Sequence, residues 1–533
     1  MTRFGRRSFL LASAAALAGS CVAPLAGPSP SADRRGRLTL SWPTDTGYPS
    51  PFAFSTIGPG GIAKLMLAFD TLTWKDARGV VPWIAESWTA EDAGAAYRFR
   101  IRPDVVFHDG TRLDASDVAF TFEYFARHPF KWTSTAMVRS AQAVDGRTVL
   151  VRLDGPHAPF IEDVAGSVPI LPRHIWETVA DPLAFADRAA TVGSGPFELA
   201  SYADGKGEYL FRARDRHFAG VPRVSELAYV LVPNAQRTIA LQTHTADVFL
   251  ATEYDVAAAF GDGRPYSVFT TPAWSVMRLI LNVDRPPLDD ARVRRAVAHA
   301  LDRGDIASRV THAPDVVVGS AGLIPPESPW YRRPASEYTF DPQRARALLD
   351  DAGIADRDGD GVREAAEGRP LALELVADPA APDGALVVAQ LRAVGLAVRI
   401  LAGDAKTRAN LQQKRLFSLA LTSHVGIAGD PDFLRQWFSG AATNAFAYGD
   451  AIHDPAFAAA ADAQRRELDV ARRRDLVGRM QDLLAADLVT LPLYYRRFYF
   501  IYDRSRWDTW FNTAGGLLNG NPLLENKLAF VAS

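Results

Sequence analysis

The sequence predicts an α/β protein with more than one hydrophobic core, on three observations. Its 533 residues exceed what a single core organises, so two or three domains are expected. Apolar residues recur at a period of two in some short runs and at helical spacing in others, so strands and amphipathic helices both occur along the chain. Between residues 371 and 400 a strand pattern, a helix pattern and a second strand pattern follow one another, which implies a right-handed βαβ unit. The composition, 48% hydrophobic and 23% charged, is that of an ordinary globular protein.

Residues 1–20 join a basic start, Arg3, Arg6 and Arg7, to an apolar run from Phe9 to Leu17 and then to small residues. That is the build of a secretory signal, too short to span a membrane. Gly5-Arg6-Arg7-Ser8-Phe9-Leu10-Leu11 is similar to a twin-arginine export motif. Ala18-Gly19-Ser20-Cys21 is similar to a lipobox, in which Cys21 would be acylated and become the mature N-terminus. Lipoboxes favour leucine three positions before the cysteine, where this chain has Ala18, and plain secretion is the alternative. Residues 21–36, rich in Pro, Ser and Ala, read as a flexible tether. Cys21 is the only cysteine, so no disulfide and no cysteine-based zinc site can form within the chain.

Leu38-Leu40-Trp42 starts the folded part as a strand, and residues 58–67 follow as a glycine-started helix. The stretch Ile84 to Phe125 is the most informative. Tyr97, Phe99 and Ile101 alternate with Arg98, Arg100 and Arg102, a strand with one buried face. Val105-Val106-Phe107 reads as a second strand, closed by the tight turn Asp109-Gly110. Asp114 and Asp117 are an acidic form of the capping box, ahead of an apolar face of Val118, Thr121, Phe122 and Phe125. Further along, Thr148–Leu153 is a strand. From Leu279 an apolar strand ends at Asn282, and Asp289 or Asp290 caps a helix with Val293, Ala296, Val297, Ala300 and Leu301 on one face. Asp341-Pro342 opens a helix that Gly353 stops. Leu371, Leu373 and Leu375, then Leu386 to Val394, then Leu396, Val398 and Ile400 make the βαβ unit, and Leu476 to Leu488 is a last amphipathic helix.

Ala85-Glu86-Ser87-Trp88, the charged strand, Phe107-His108-Asp109-Gly110-Thr111 and Asp114-x-x-Asp117-Val118-x-Phe120 together resemble the signature of the family 5 extracellular solute-binding proteins. These are the capture subunits of ABC importers for peptides, nickel and some sugars or opines. Ile170–Trp176, Val192–Phe197, Phe218-x-Gly220-x-Pro222, Ile239–Gln242 and Leu279–Leu301 extend the resemblance over nearly the whole mature chain. It implies an α/β, type II periplasmic-binding-protein fold of two lobes with an extra N-terminal subdomain. The first lobe would take residues 37–66, 192–276 and 496–533, the extra subdomain 67–191 and the second lobe 277–495, with the joins near 276–283 and 490–496. The implied role is reversible capture of a peptide-like or other small organic solute outside the membrane and delivery to an ABC permease. A monomer in the periplasm or cell envelope, held by a lipid anchor, is expected.

The net charge of −2, or −5 once the three arginines of the first 20 residues are removed, does not suggest a nucleic-acid binder. No G-x-S-x-G, H-E-x-x-H or Walker lysine is present, so no enzyme is expected. The rival classes are a secreted hydrolase, with paired acids such as Asp430 and Asp432 flanking a glycosidic bond, and a chaperone or signalling receptor on the same fold. No cofactor is called for. Asp356, Asp358, Asp360 and Glu367 have the spacing of a calcium loop around Gly361, to which a structural calcium would belong; a solvated Asp-Gly turn is the alternative.

The resemblance places a pocket wall at the loop Val425–Asp432. Trp274 and Trp437 are candidate stacking walls, although large aromatics fill cores equally well, and Arg435 and Asn444 are candidate polar contacts. Peptide-binding members carry an aspartate, paired with the ligand's α-ammonium, where this chain has Ile427. An ammonium enclosed there without a counter-charge would be penalised by several kcal/mol. Either Asp430 takes over the pairing, or the ligand has no free ammonium at that point, which is the favoured expectation.

Overall fold

The computed structural model describes residues 35–532 apart from 43, 56–59, 77, 262–264, 366–367, 369–370, 426, 428, 440–451, 507–514, 517–525 and 528–530. The signal, Cys21, Glu367 and Asn444 lie outside the described residues.

Three sheets carry the architecture. In the first lobe, seven strands lie in the order Tyr266–Thr270, Tyr499–Asp503, Val248–Ala251, Arg35–Trp42, Val224–Leu231, Glu208–Ala213 and Phe197–Ala203. Arg35–Trp42 is parallel to both of its neighbours, and Leu38, Leu40, Leu227 and Phe211 are among its core residues. The second lobe orders Val317–Val318, Thr490–Arg496, Ser275–Leu281, Leu419–His424, Ala372–Val376 and Ala397–Leu401. Its last three strands run parallel, with helix Pro382–Arg392 between the two that come first in the chain, as the βαβ pattern predicts. A separate four-stranded sheet, Ala85–Glu91, Ala96–Ile101, Thr148–Leu153 and Val138–Asp145, supports helix Ala115–Arg127.

Local rules explain much of this. Tyr97, Phe99 and Ile101 are buried on one face of their strand. Asp114 accepts from Ser116 N at 2.7 Å, and Asp117 returns the bond by accepting from Asp114 N at 3.0 Å, so both arms of the capping box form. Asp290 rather than Asp289 caps helix Ala291–Ala300. The expected strand Val105–Phe107 is instead a single bridge, Val106 to Arg112. Three residues ahead of a closed turn, in which Phe107 N donates to Thr111 O, leave no room for a ladder. The helix expected over 386–394 starts earlier, at Pro382, whose missing N–H costs nothing in a first turn. Pro492 sits inside a central strand, and the ladder absorbs it through a register shift opposite Met277 and Arg278.

The chain changes lobe twice. It leaves the first sheet after Thr270 and enters the second at Ser275; it leaves the second after Arg496 and re-enters the first at Tyr499. The joins are therefore residues 271–274 and 497–498, tied together because Thr271 N donates to Phe498 O and Phe498 N to Thr271 Oγ1, each at 2.9 Å. No helix among the described residues is long and apolar enough to cross a membrane.

Candidate functional site between the lobes

The second lobe contributes the loop after strand Leu419–His424 and the helices Phe433–Phe438 and Val470–Asp487. Asp430 is held by Arg473, whose two terminal nitrogens each lie 2.6 Å from a carboxylate oxygen. Asp432 takes Arg435 at 2.8 and 2.6 Å, and also accepts from Gln464 and Gln436. Burial works against an ionised Asp432, but the Arg435 guanidinium outweighs it and holds the carboxyl below its ordinary value.

Facing this loop is the π-helix Phe160–Val164 with the turn before it and strand Thr73–Asp76. Ala158 N donates to Arg465 O at 2.6 Å across the gap, and Leu468 packs on Gly94. A Cβ on Gly94, whose φ is +88°, would come 2.6 Å from the Leu468 side chain, so glycine is needed for the approach. Lys75 donates to Glu162 at 2.8 Å. Burial disfavours its ammonium, yet Glu162, Asp163 and Asp430 together keep it charged, with a pKa above the usual lysine value. The Asp163 carboxylate accepts no hydrogen bond among the described residues. Burial, then the negative charge of Asp430, raises it well above the ordinary range. His157 is buried with Nδ1 lacking a hydrogen-bond partner among the described residues, and burial brings its imidazole down to about 4, so it is neutral at pH 7.

Next to the joins the second lobe presents donors. Trp274 Nε1, Ser275 Oγ and Arg496 Nε are buried atoms without a hydrogen-bond partner among the described residues, and Ser275 and Arg496 are opposite each other in the ladder. No ion pair engages the Arg496 guanidinium among the described residues. Such donors can receive the acceptor atoms of a bound molecule. In the first lobe, Lys64 is boxed by the rings of Trp42, Tyr209 and Tyr229 at 5.0, 4.8 and 4.4 Å, near the carboxyl ends of its parallel strands. Such strand ends are where open α/β sheets bind ligands. Burial brings the Lys64 ammonium down to about 7, with Asp45 opposing.

The residues singled out from sequence divide accordingly. Asp430 and Arg435 stand at the interface but are engaged by neighbours in their own lobe. Ile427 is in the core with Leu434 and Phe438. Trp437 is mostly buried between Phe433, Phe438 and His424, with the Arg278 guanidinium 5.4 Å from its ring, so its wall-forming surface is small. Trp274 is half-buried beside the first join. Among the described residues Asp356, Asp358 and Asp360 converge with Glu364, and these four carboxylates can hold one hard cation; Glu367 lies outside the described residues. Each also accepts from a nearby backbone N–H, the arrangement of a turn stapled by its own acids.

Lys75, His157, Glu162, Asp163, Arg473 and Arg496 went unnoticed in the sequence. The one available signal was Glu162-Asp163 inside the apolar run from Ala158 to Ile170, where two adjacent acids need a reason.

A family model described as "Bacterial extracellular solute-binding proteins, family 5 Middle" matches residues 79–446. The Dipeptide-binding protein of Escherichia coli (strain K12) is 28% identical over 301 residues, 52% of this chain and 55% of that one. The Oligopeptide-binding protein AppA of Bacillus subtilis (strain 168) is 31% identical over 296 residues, 52% of each chain. The chain thus spans about half the length of these curated relatives. The solved structure of the oligopeptide-binding protein AppA from Bacillus subtilis in complex with a nonapeptide superposes with a TM-score of 0.79 at 22% identity, covering 94% of this chain and all of that one.

Proposed function

Because the chain belongs to family 5 of the bacterial extracellular solute-binding proteins and has their type II periplasmic-binding-protein fold, we propose that it is the capture component of an ABC importer. It would enclose a peptide-like or other small organic solute between two lobes and deliver it to the permease, binding without turnover. The observation that carries this reading is the pair of joins. Two short segments, 271–274 and 497–498, connect bodies that each have their own sheet and core, which is the build of a hinge. Across that hinge lie buried polar groups without partners, suited to a solute rather than to a dry core. The relatives described as dipeptide- and oligopeptide-binding favour a peptide-like solute.

Export through the twin-arginine signal, acylation of Cys21 and work as a monomer in the cell envelope complete the proposal. Native mass spectrometry of protein purified without denaturation, followed by small-angle scattering with and without the solute it retains, tests it. A retained solute and a smaller radius of gyration on saturation are expected. An unchanged radius at saturation would count against the clamp.

A further inference from the structure

Among the described residues, the carboxyl groups of Glu162, Asp163, Asp430 and Asp432 lie together at the interface between the lobes with the basic side chains Lys75, Arg435 and Arg473. Three acid–base pairs form at hydrogen-bond distance: Lys75 with Glu162, Arg473 with Asp430 and Arg435 with Asp432. Asp163 is the acid left over. It reaches Lys75 electrostatically, but the Lys75 hydrogen bond goes to Glu162. In the turn before the π-helix, His157 has a buried ring nitrogen without a partner among the described residues and shares Asp432 with Asp163 as a charged neighbour.

Asp163 is half-buried, and a carboxylate drawn further from water without a partner, beside other acids between closing lobes, opposes closure. The penalty vanishes if a monocation enters with the ligand. We propose that Asp163 is the counter-charge for a cationic group of the captured solute, an ammonium or guanidinium. This rests on the solute-binding reading and narrows it to amine-bearing ligands. It also revises the expectation drawn from Ile427. The second-lobe loop has no free acid, but the opposite wall supplies one.

A proton is the competitor. Without a cationic ligand, burial and the facing groups Asp430, Glu162 and Asp432 favour the protonated Asp163 carboxyl against the pull of Lys75 and of Arg473, while Arg435 and neutral His157 lie around Asp432. A bound cation reverses the balance, so binding releases a proton. Affinity is greatest where the carboxyl can ionise, and it falls as the pH is lowered.

The test uses the mature protein and a defined equimolar mixture of dipeptides, tripeptides, putrescine, their N-acetylated forms and neutral oligosaccharides, read by native mass spectrometry. Calorimetry of the retained member follows in two buffers of different ionisation enthalpy. Amine-bearing members should be retained, with proton release on binding. Acetylation and Asp163→Asn should each weaken binding by about 30-fold or more and abolish the release. The melting temperature of Asp163→Asn should be equal or higher, because the amide is neutral like the protonated carboxyl it replaces and cannot ionise beside Asp430 and Glu162. Retention of neutral or acetylated members, or unchanged amine binding by Asp163→Asn, would overturn the assignment while leaving solute capture intact. Retention of nothing, from this mixture or from a whole-cell extract, would overturn the solute-binding reading and the assignment with it.

Discussion

Asp430 and Arg473 meet through two parallel contacts of 2.6 Å, with both side chains almost wholly withdrawn from solvent. The pair fastens the loop after Leu419–His424 to helix Val470–Asp487, so its role is to hold the second-lobe wall. Asp430→Asn should leave Arg473 uncompensated and lower stability by about 3–5 kcal/mol in urea unfolding. A loss below about 1 kcal/mol would mean that the acid is free for ligand after all.

Lys527 makes a comparable contact beside strand Thr73–Asp76. Its ammonium reaches Asp70 at 2.6 Å and Phe69 O at 2.9 Å, lies over the rings of Trp74 and Trp83, and is fully enclosed. Burial would raise the Asp70 carboxyl, but Lys527 and His217 outweigh it and hold it far below the ordinary range. A depressed folded-state pKa contributes stability that is complete above the unfolded value of about 3.9 and is lost as pH falls below it. Lys527→Met should therefore destabilise at pH 7, and the gap to the wild type should narrow towards pH 3. Urea midpoints at the two pH values measure this, and a gap independent of pH would show that lost packing dominates.

Arg496 stands opposite Ser275 without an acidic partner among the described residues. Arg496→Met orphans no neighbouring charge, so stability should stay within about 0.5 kcal/mol. Affinity for the co-purifying solute, measured by calorimetry, should fall. Lost stability with unchanged affinity would make Arg496 part of the scaffold.

Cys21→Ser should move the protein from the membrane fraction to the soluble envelope fraction without changing solute affinity. Continued sedimentation with membranes would exclude a lipid anchor at this residue.

What the sequence disclosed and what it withheld follow from range. Asp114 and Asp117 act within one helical turn, so their spacing alone predicted both hydrogen bonds. The βαβ unit around helix Pro382–Arg392 was legible because periodicity is local. Val105–Phe107 misled because a short apolar run says nothing about whether a neighbour has room to pair. At the interface the relevant distances in sequence are long. Asp430 is satisfied by a residue 43 positions away, and Lys75 by one 87 positions away. Nothing in the loop itself announces that its acids are spoken for. Asp163 becomes conspicuous only after every other charge around it has been paired.

Strand Tyr499–Asp503 lies between Tyr266–Thr270 and Val248–Ala251, inside the first-lobe sheet, yet it follows every second-lobe strand in the chain. The second lobe is one continuous stretch from Ser275 to Arg496, so all of its strands precede Tyr499–Asp503 and it can close without that strand. The first lobe cannot, because an edge of Val248–Ala251 stays unpaired until that strand emerges. Released chains truncated after residue 497 should accordingly shield the second lobe from protease and leave the first open to cleavage. Equal protection of both would mean that the earlier strands assemble without it. Assembly order would thus run opposite to sequence order, with the lobe that starts first finishing last.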